Sequence, residues 1–334
     1  LGRAPDPRHE AVTLEDYRRR HALYKRDPDL QAAHAAHPWI TVWDDHESAN
    51  NSWKGGAKNH DSDREGSWSD RKLAAIRAYY EWLPVRELPT GLYRRFRFGS
   101  LLDLLMLDTR LHARDQQGPR DRAVARDPGR QLLGEDQAGW LRDALVDSQR
   151  SGSSWRVIGQ QVIVSPVSID GVDFNPDSWS GYEASRTRLL DHVAREGIDN
   201  VVFLTGDVHS AWVFDVPPPE GAAVPYDAET GSGALAVEFV TPAVSSRPIG
   251  LVPGIADYYA GIEAVTPHLD YVNLVEQGFV MLDLTPERVV AQYVYTGPAE
   301  TRSSVARCGP AFITPAGSNH VRPASVGPCG PSGR

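Results

Sequence analysis

Apolar positions along this chain recur first at helical spacing and then, past the middle, mostly at the alternating or continuous spacing of strands. Residues 13 to 36 (T-L-E-D-Y-R-R-R-H-A-L-Y-K-R-D-P-D-L-Q-A-A-H-A-A) predict helix. Thr13 offers an N-cap, with Asp16 three residues on as an acidic variant of the capping box. Leu14, Tyr17 and Leu23/Tyr24 give the apolar stripe, Pro28 opens a second helix and Pro38 stops it. Trp39 to Trp43 reads as a short buried strand, residues 52 to 69 as a polar loop, and Ser69 as the cap of a helix through Trp82.

Strands are predicted at 92–98 (alternating), 101–107, 155–164, 201–205 and 211–216, with helices over 134–148 and 184–196 between them. Three further runs, A-L-A-V-E-F-V, G-F-V-M-L-D-L and V-V-A-Q-Y-V-Y, complete a strand-rich second half. Helices alternating with short apolar strands, followed by consecutive strands, predict a layered α/β or α+β sheet sandwich. No internal repeat is evident, and residues 1–300 read as one domain followed by a Pro/Gly-rich tail over 301–334.

Composition narrows the function. A length of 334 residues suffices for a large core. The net charge of −9 argues against a nucleic-acid partner, which calls for a basic face. No apolar run is long enough to cross a membrane as a helix. Only four of the 35 basic residues are lysine, a bias of GC-rich coding that carries no functional signal. Cys308 and Cys329 bracket the loop-rich tail and predict one disulfide, hence an oxidising, secreted setting. Leu1-Gly2-Arg3-Ala4-Pro5 reads like the middle of a loop, which predicts a processed piece of a longer precursor.

The chemistry lies where strands end. W-D-D-H-E-S-A-N-N (43–51) follows one apolar run, and G-D-V-H (206–209) follows V-V-F-L-T. Asp, Asn and His are the oxygen and nitrogen donors that calcium, manganese, iron and zinc accept. Asp207 and His209 are two apart, so in an extended segment both side chains face one way. Alone, D-V-H is better read as a capping Asp and a surface His; paired with the first cluster, it points to metal. Other features are weaker. His34 and His37 sit at a helix end, where the dipole alone favours histidine. The aromatic stretch from Trp53 to Trp82 reads as core, and Ser165 and Ser168 lack a G-x-S-x-G elbow.

W-D-D-H-E-x-x-N-N, L-D-T-R (107–110), L-G-E-D-Q-A-G-W-L (133–141) and F-L-T-G-D-V-H-S (203–210), in that order, resemble the alkaline phosphatase D (PhoD-like) family. That family belongs to the calcineurin-like, purple-acid-phosphatase-like metallophosphoesterases and includes secreted actinobacterial phospholipases D. The resemblance runs from about residue 10 to 295. It implies a metallophosphoesterase β-sandwich flanked by helices. It also implies metal positions at Asp45, Asn50 or Asn51 (Asn51 favoured), Asp207 and His209, with His46 as acid or phosphate contact. Arg110 is a candidate bidentate phosphate contact or a structural ion pair with Asp108 or another carboxylate, and His268 in T-P-H-L-D-Y a further catalytic candidate or a solvent-facing histidine. The cofactors implied are Fe3+ and Ca2+, with Zn2+ or Mn2+ as substitutes, and the substrate is a phosphoester.

Two parts of the family pattern, a cysteine near an early strand end and a G-D-x-x-Y motif, are not found before Asp45. The expectation is therefore that an N-terminal fragment of the same precursor supplies the remaining ligands and that the chain alone is inactive. Phosphodiester cleavage of phospholipase D type is slightly favoured over monoester hydrolysis. The alternative is a metal-free binding module on the same scaffold.

Overall fold

Nearly the whole chain is accounted for in the computed structural model, which describes residues 4–89, 91–169, 172–173, 175–255, 259 and 261–325. It opens with helices α1 (Leu14–Lys25) and α2 (Pro28–Ala36), the short α3 (Ser62–Glu65) and α4 (Trp68–Trp82). The capping box of α1 is complete: Thr13 Oγ1 accepts from the Asp16 backbone N–H, and Asp16 returns a carboxylate oxygen to the Thr13 N–H. The cap of α4 is Ser67 rather than Ser69; its extended backbone lets Oγ accept from the Asp70 N–H.

Further helices include α5 (Arg122–Ala125), α6 (Gly134–Arg150) and α7 (Glu183–Arg195). Strands β1 (Arg94–Phe98), β2 (Leu102–Met106), β3 (Trp155–Gly159), β6 (Val201–Thr205), β7 (Ala211–Val216), β8 (Ala236–Val240) and β9 (Leu269–Asn273) form a seven-stranded sheet, with the small β4 (Ser168–Ile169) and β5 (Val172–Asp173) hairpin outside it. The order is β1-β2-β3-β6-β8-β7-β9. β2, β3, β6 and β8 run parallel in the centre, while β1 and β7 run antiparallel to their neighbours. Four antiparallel strands, β10 (Gln277–Thr285), β11 (Arg288–Thr296), β12 (Ala306–Pro315) and β13 (Arg322–Ala324), make a second sheet.

Strand periodicity decides the layers. On β3, Trp155 and Val157 face the second sheet and Ile158 faces the helices; on β6, Val202 and Phe203 divide the same way. One core therefore packs α6 and α7 (Leu141, Leu145, Leu189, Val193) on the large sheet. The other packs Val237 and Phe239 against Val289, Tyr293 and Phe312 of the second sheet. Helix, sheet and sheet form three layers, the expected sandwich flanked by helices. No helix among the described residues is long and apolar enough to cross a membrane.

Three local expectations differ. Residues 39–43 form no strand: Trp39 is 46% exposed, and the carbonyls of Thr41 and Trp43 are taken by the side chains of Arg94 and Gln161 instead of a ladder. The run at 155–164 stops pairing at Gly159, and its remainder turns over the crest of the sheet. Residues 306–315, inside the segment expected as a Pro/Gly-rich tail, form the ten-residue β12, because its Phe312 can be buried against β11 and the large sheet. Cys329 lies outside the described residues, and the Cys308–Cys329 pairing with it.

Candidate metal centre

Parallel strands bring their C-terminal ends to one crest, so turns distant in sequence meet there. Residues 108–110 follow β2, 160–161 follow β3 and 206–209 follow β6. The 43–51 loop comes onto this crest from α2.

Three carboxylates converge: one oxygen each of Asp44, Asp45 and Asp207 lie within 4.8 Å of one another. Asp45 also shapes its own loop. Its Oδ1 accepts from the His46 N–H at 2.8 Å, and Oδ2 accepts from the Asn51 N–H at 2.7 Å. The Asp44 N–H is held by Glu47 Oε2 at 2.6 Å. Underneath, the Tyr17 hydroxyl donates to the Ser48 carbonyl at 2.6 Å, and the buried Arg71 donates to Tyr17.

Arg110, completely buried, runs through the group. Nε donates to Asp44 Oδ1 at 2.6 Å, Nη1 to Asp177 Oδ2 at 2.7 Å and Nη2 to Asp207 Oδ1 at 2.5 Å. Its expected alternatives were a phosphate contact or an ion pair with Asp108 or another carboxylate. Here the guanidinium pairs with three other carboxylates, while Asp108 Oδ1 accepts the N–H groups of Arg110 and Leu111 and shapes the turn. Asp177 is shared with Arg114 and Gln117.

One guanidinium does not neutralise this group. Burial, and then the charges of Asp45 and Asp177, push Asp44 above the ordinary carboxylate range despite Arg110. Burial raises Asp207 still further, helped by Asp44 and Asp177. Burial also pushes Glu47 up to about 7, with Asp44 and Asp45 adding to the effect. Only Asp177 moves down: burial opposes its ionisation, but Arg114 and Arg110 outweigh it. A buried excess of hard oxygen donors with too little positive charge fits a cation of the calcium, manganese or iron type.

Backbone conformation marks the same residues. Asn51, Asp207 and His209 have φ of +52°, +69° and +51°. Such angles are uncommon outside glycine and cluster where function demands them. They also cancel the argument that Asp207 and His209 share one side of an extended segment, since β6 ends at Thr205. His209 is not among the three converging donors. Its Nδ1 donates to the Arg247 carbonyl at 3.2 Å, which leaves Nε2 with a free lone pair. Asn50 Nδ2 donates to Asn59, and Asn51 touches the group through its backbone. His46 is exposed on the loop. His268 is buried rather than solvent-facing and stands apart from the converging donors. Its Nε2 donates to the Pro166 carbonyl at 2.8 Å, and burial depresses its pKa to about 4.

The expected set does not contain Asp44 or Asp177. Asp44 is visible in the D-D doublet, where sequence alone does not say which carboxylate turns inward. Asp177, in N-P-D-S-W, carries no signal distinct from an ordinary turn.

Known proteins share the sequence pattern and the fold of this chain. The profile described as PhoD-like phosphatase matches residues 1–293. Alkaline phosphatase D of Bacillus subtilis (strain 168) is 36% identical over 303 residues, covering 85% of this chain and 48% of that protein. The chain thus spans about half the length of the curated relative it matches. The solved structure of PhoD superposes with a TM-score of 0.80 at 31% identity, covering 95% of this chain and 60% of the other. A purple acid phosphatase from yellow lupin gives 0.46 at 14% identity, over 83% of this chain and 40% of its own.

Proposed function

Because this chain belongs to the PhoD-like phosphatase family, we propose that it is a metal-dependent phosphoester hydrolase whose cations sit at Asp44, Asp45 and Asp207. The observation that carries this reading is the convergence of those three carboxylates, from loops more than 160 residues apart in sequence, on one sheet crest. Bound Fe3+ and Ca2+, the pair the family resemblance implies, would supply charge neutralisation at phosphorus and activation of the attacking water.

The chain's own residues prepare that chemistry. Arg110 holds Asp44 and Asp207 at fixed separation. His209, oriented by the Arg247 carbonyl, and Asn51, on its strained turn, complete the donor set. His46, exposed beside Asp45, is assigned proton transfer to the leaving oxygen. His268, neutral and engaged with Pro166, takes no part.

The finer reading is cleavage of a phosphodiester of the phospholipid type. What supports it is an apolar rim near His209: Val244, Leu251 and Val252 are exposed in the loop whose Ile249 N–H donates to the His209 carbonyl. The reading further includes a secreted protein and an N-terminal fragment of the same precursor that supplies the remaining ligands.

Metal analysis of purified protein should find iron and calcium near stoichiometric amounts, and Asp207→Asn should lose them. Protein free of both metals would favour the binding-module alternative. Bis(p-nitrophenyl) phosphate should be cleaved faster than p-nitrophenyl phosphate; the opposite order makes the enzyme a monoesterase. A native mass spectrum showing only a 36.8 kDa species with full activity would remove the fragment.

A further inference from the structure

The central strand β3 does not contribute a carboxylate to the crest, yet it carries two adjacent buried glutamines just beyond its end. Past Gly159 the chain continues between the ends of β2 and β6. The Leu107 N–H donates to the Gly159 carbonyl, and the Gln160 N–H donates to that of Leu204. The side chain of Gln161 then spends every hydrogen-bonding position its amide has. Nε2 donates to the Trp43 carbonyl at 2.8 Å and the Leu107 carbonyl at 2.9 Å. Oε1 accepts from the Thr109 N–H at 3.0 Å and from Thr109 Oγ1 at 2.5 Å. Its backbone carbonyl accepts from the Gly206 N–H at 3.1 Å.

Three of these partners stand immediately before a member of the site: Trp43 before Asp44, Thr109 before Arg110, Gly206 before Asp207. We propose that Gln161 is a positioning residue whose side chain sets the mutual spacing of the turns carrying Asp44 and Arg110, while its main-chain carbonyl holds the turn carrying Asp207. The role requires two donors and an acceptor with two lone pairs at one reach. Glutamate lacks the donors, methionine lacks both kinds of group, and asparagine is one methylene short. The neighbouring Gln160 shows what an ordinary buried amide does on the same crest. It bonds Thr205 Oγ1, the Val162 N–H and the Trp179 indole, and touches neither the 43–51 loop nor the turn at Arg110. The Trp43 link matters most for the loop, because residues 39–43 have no strand ladder to place them.

The importance of this spacing for catalysis rests on the function proposed above, whereas the coupling of the three turns does not. Hydrogen–deuterium exchange on the full chain tests the coupling directly. In Gln161→Glu, peptides covering 41–51 and 107–112 should both exchange about tenfold faster than in wild type, while 204–210, bonded through the main chain of residue 161, should stay within about threefold of the wild-type rate. Gln292→Ala, which removes a buried amide from β11, should leave all three at the wild-type rate. Thr109→Val deletes only the hydroxyl contact and serves if Gln161→Glu does not fold; it should loosen 107–112 and 41–51 together by about threefold. Acceleration confined to one segment, or equal acceleration in Gln292→Ala, would overturn the proposal.

With bis(p-nitrophenyl) phosphate and the N-terminal fragment bound, Thr109→Val should lower kcat about tenfold and leave KM within about threefold. Wild-type protein that hydrolyses no phosphoester even with its N-terminal fragment bound would instead remove the proposed function, and the exchange result would still decide the role of Gln161.

Discussion

Replacing Arg110 by methionine isolates the electrostatics of the crest, because the change keeps the apolar stem and removes one buried charge. Asp44, Asp45 and Asp207 present oxygens within 4.8 Å of one another. At an effective dielectric of about 20, each ionised pair at that separation repels by about 3.5 kcal/mol. Arg110 offsets this with three charge-assisted hydrogen bonds, to Asp44, Asp177 and Asp207. Taking one partner out of such a buried network costs about 3–5 kcal/mol. For a chain of 334 residues, unfolding entropy of roughly 0.7 kcal/mol per degree makes that a fall of about 4–7 °C in Tm in chelator. A cation should then do part of the work of the missing guanidinium. Calcium at about 100 times its Kd returns about 2.7 kcal/mol, so it should recover half or more of the loss. Differential scanning calorimetry of both proteins, in EDTA and in excess Ca2+, measures all four values. An Arg110→Met protein that melts within about 1 °C of wild type in EDTA, or an identical calcium response in both proteins, would refute the view that unbalanced carboxylates define this crest.

Other consequences can be checked independently. Asp103 is completely buried on β2 and receives a fork from Arg95 at 2.8 and 2.9 Å, with Arg97 at 3.0 Å; Asp103→Asn should cost about 3 kcal/mol in urea denaturation. Asp16, in the α1 capping box, is held near a pKa of about 2 against an ordinary 3.8: burial opposes ionisation, but the Thr13 and Val12 hydrogen bonds prevail. A depressed carboxylate stabilises the fold above its unfolded pKa and loses that contribution as pH falls through the folded value. Stability should therefore drop by about 2 kcal/mol between pH ~5 and pH ~2, a component missing from Asp16→Asn in acid titrations followed by circular dichroism. His268→Gln keeps a donor for the Pro166 carbonyl and should leave kcat/KM within about threefold of wild type, whereas a hundredfold loss would place His268 in the chemistry.

Much of the architecture was legible in the chain because local rules govern it. The Thr13 and Asp16 pair announced α1, and the apolar runs at 201–205 and 211–216 became β6 and β7. The failures share a cause. Trp39–Trp43 has the composition of a strand but meets no neighbouring backbone, and β12 has the composition of a tail yet finds β11. Pairing partners lie far away in sequence, and no local pattern names them. The same division holds at the crest. D-D-H-E and G-D-V-H marked two acidic turns, of which only the second follows a strand, and it was the pair taken together whose residue types pointed to a metal.

What the amino-acid order determined by itself was the elements, their alternation and the stock of donors. Only the tertiary structure decided that Asp44 converges with Asp45 and Asp207, that Arg110 spends its guanidinium on Asp44, Asp177 and Asp207, and that Gln161 ties their turns together. Periodicity is a property of neighbours along the chain. Charge balance and hydrogen-bond saturation belong to neighbours in space, and those are chosen by how the parallel strands stack their ends.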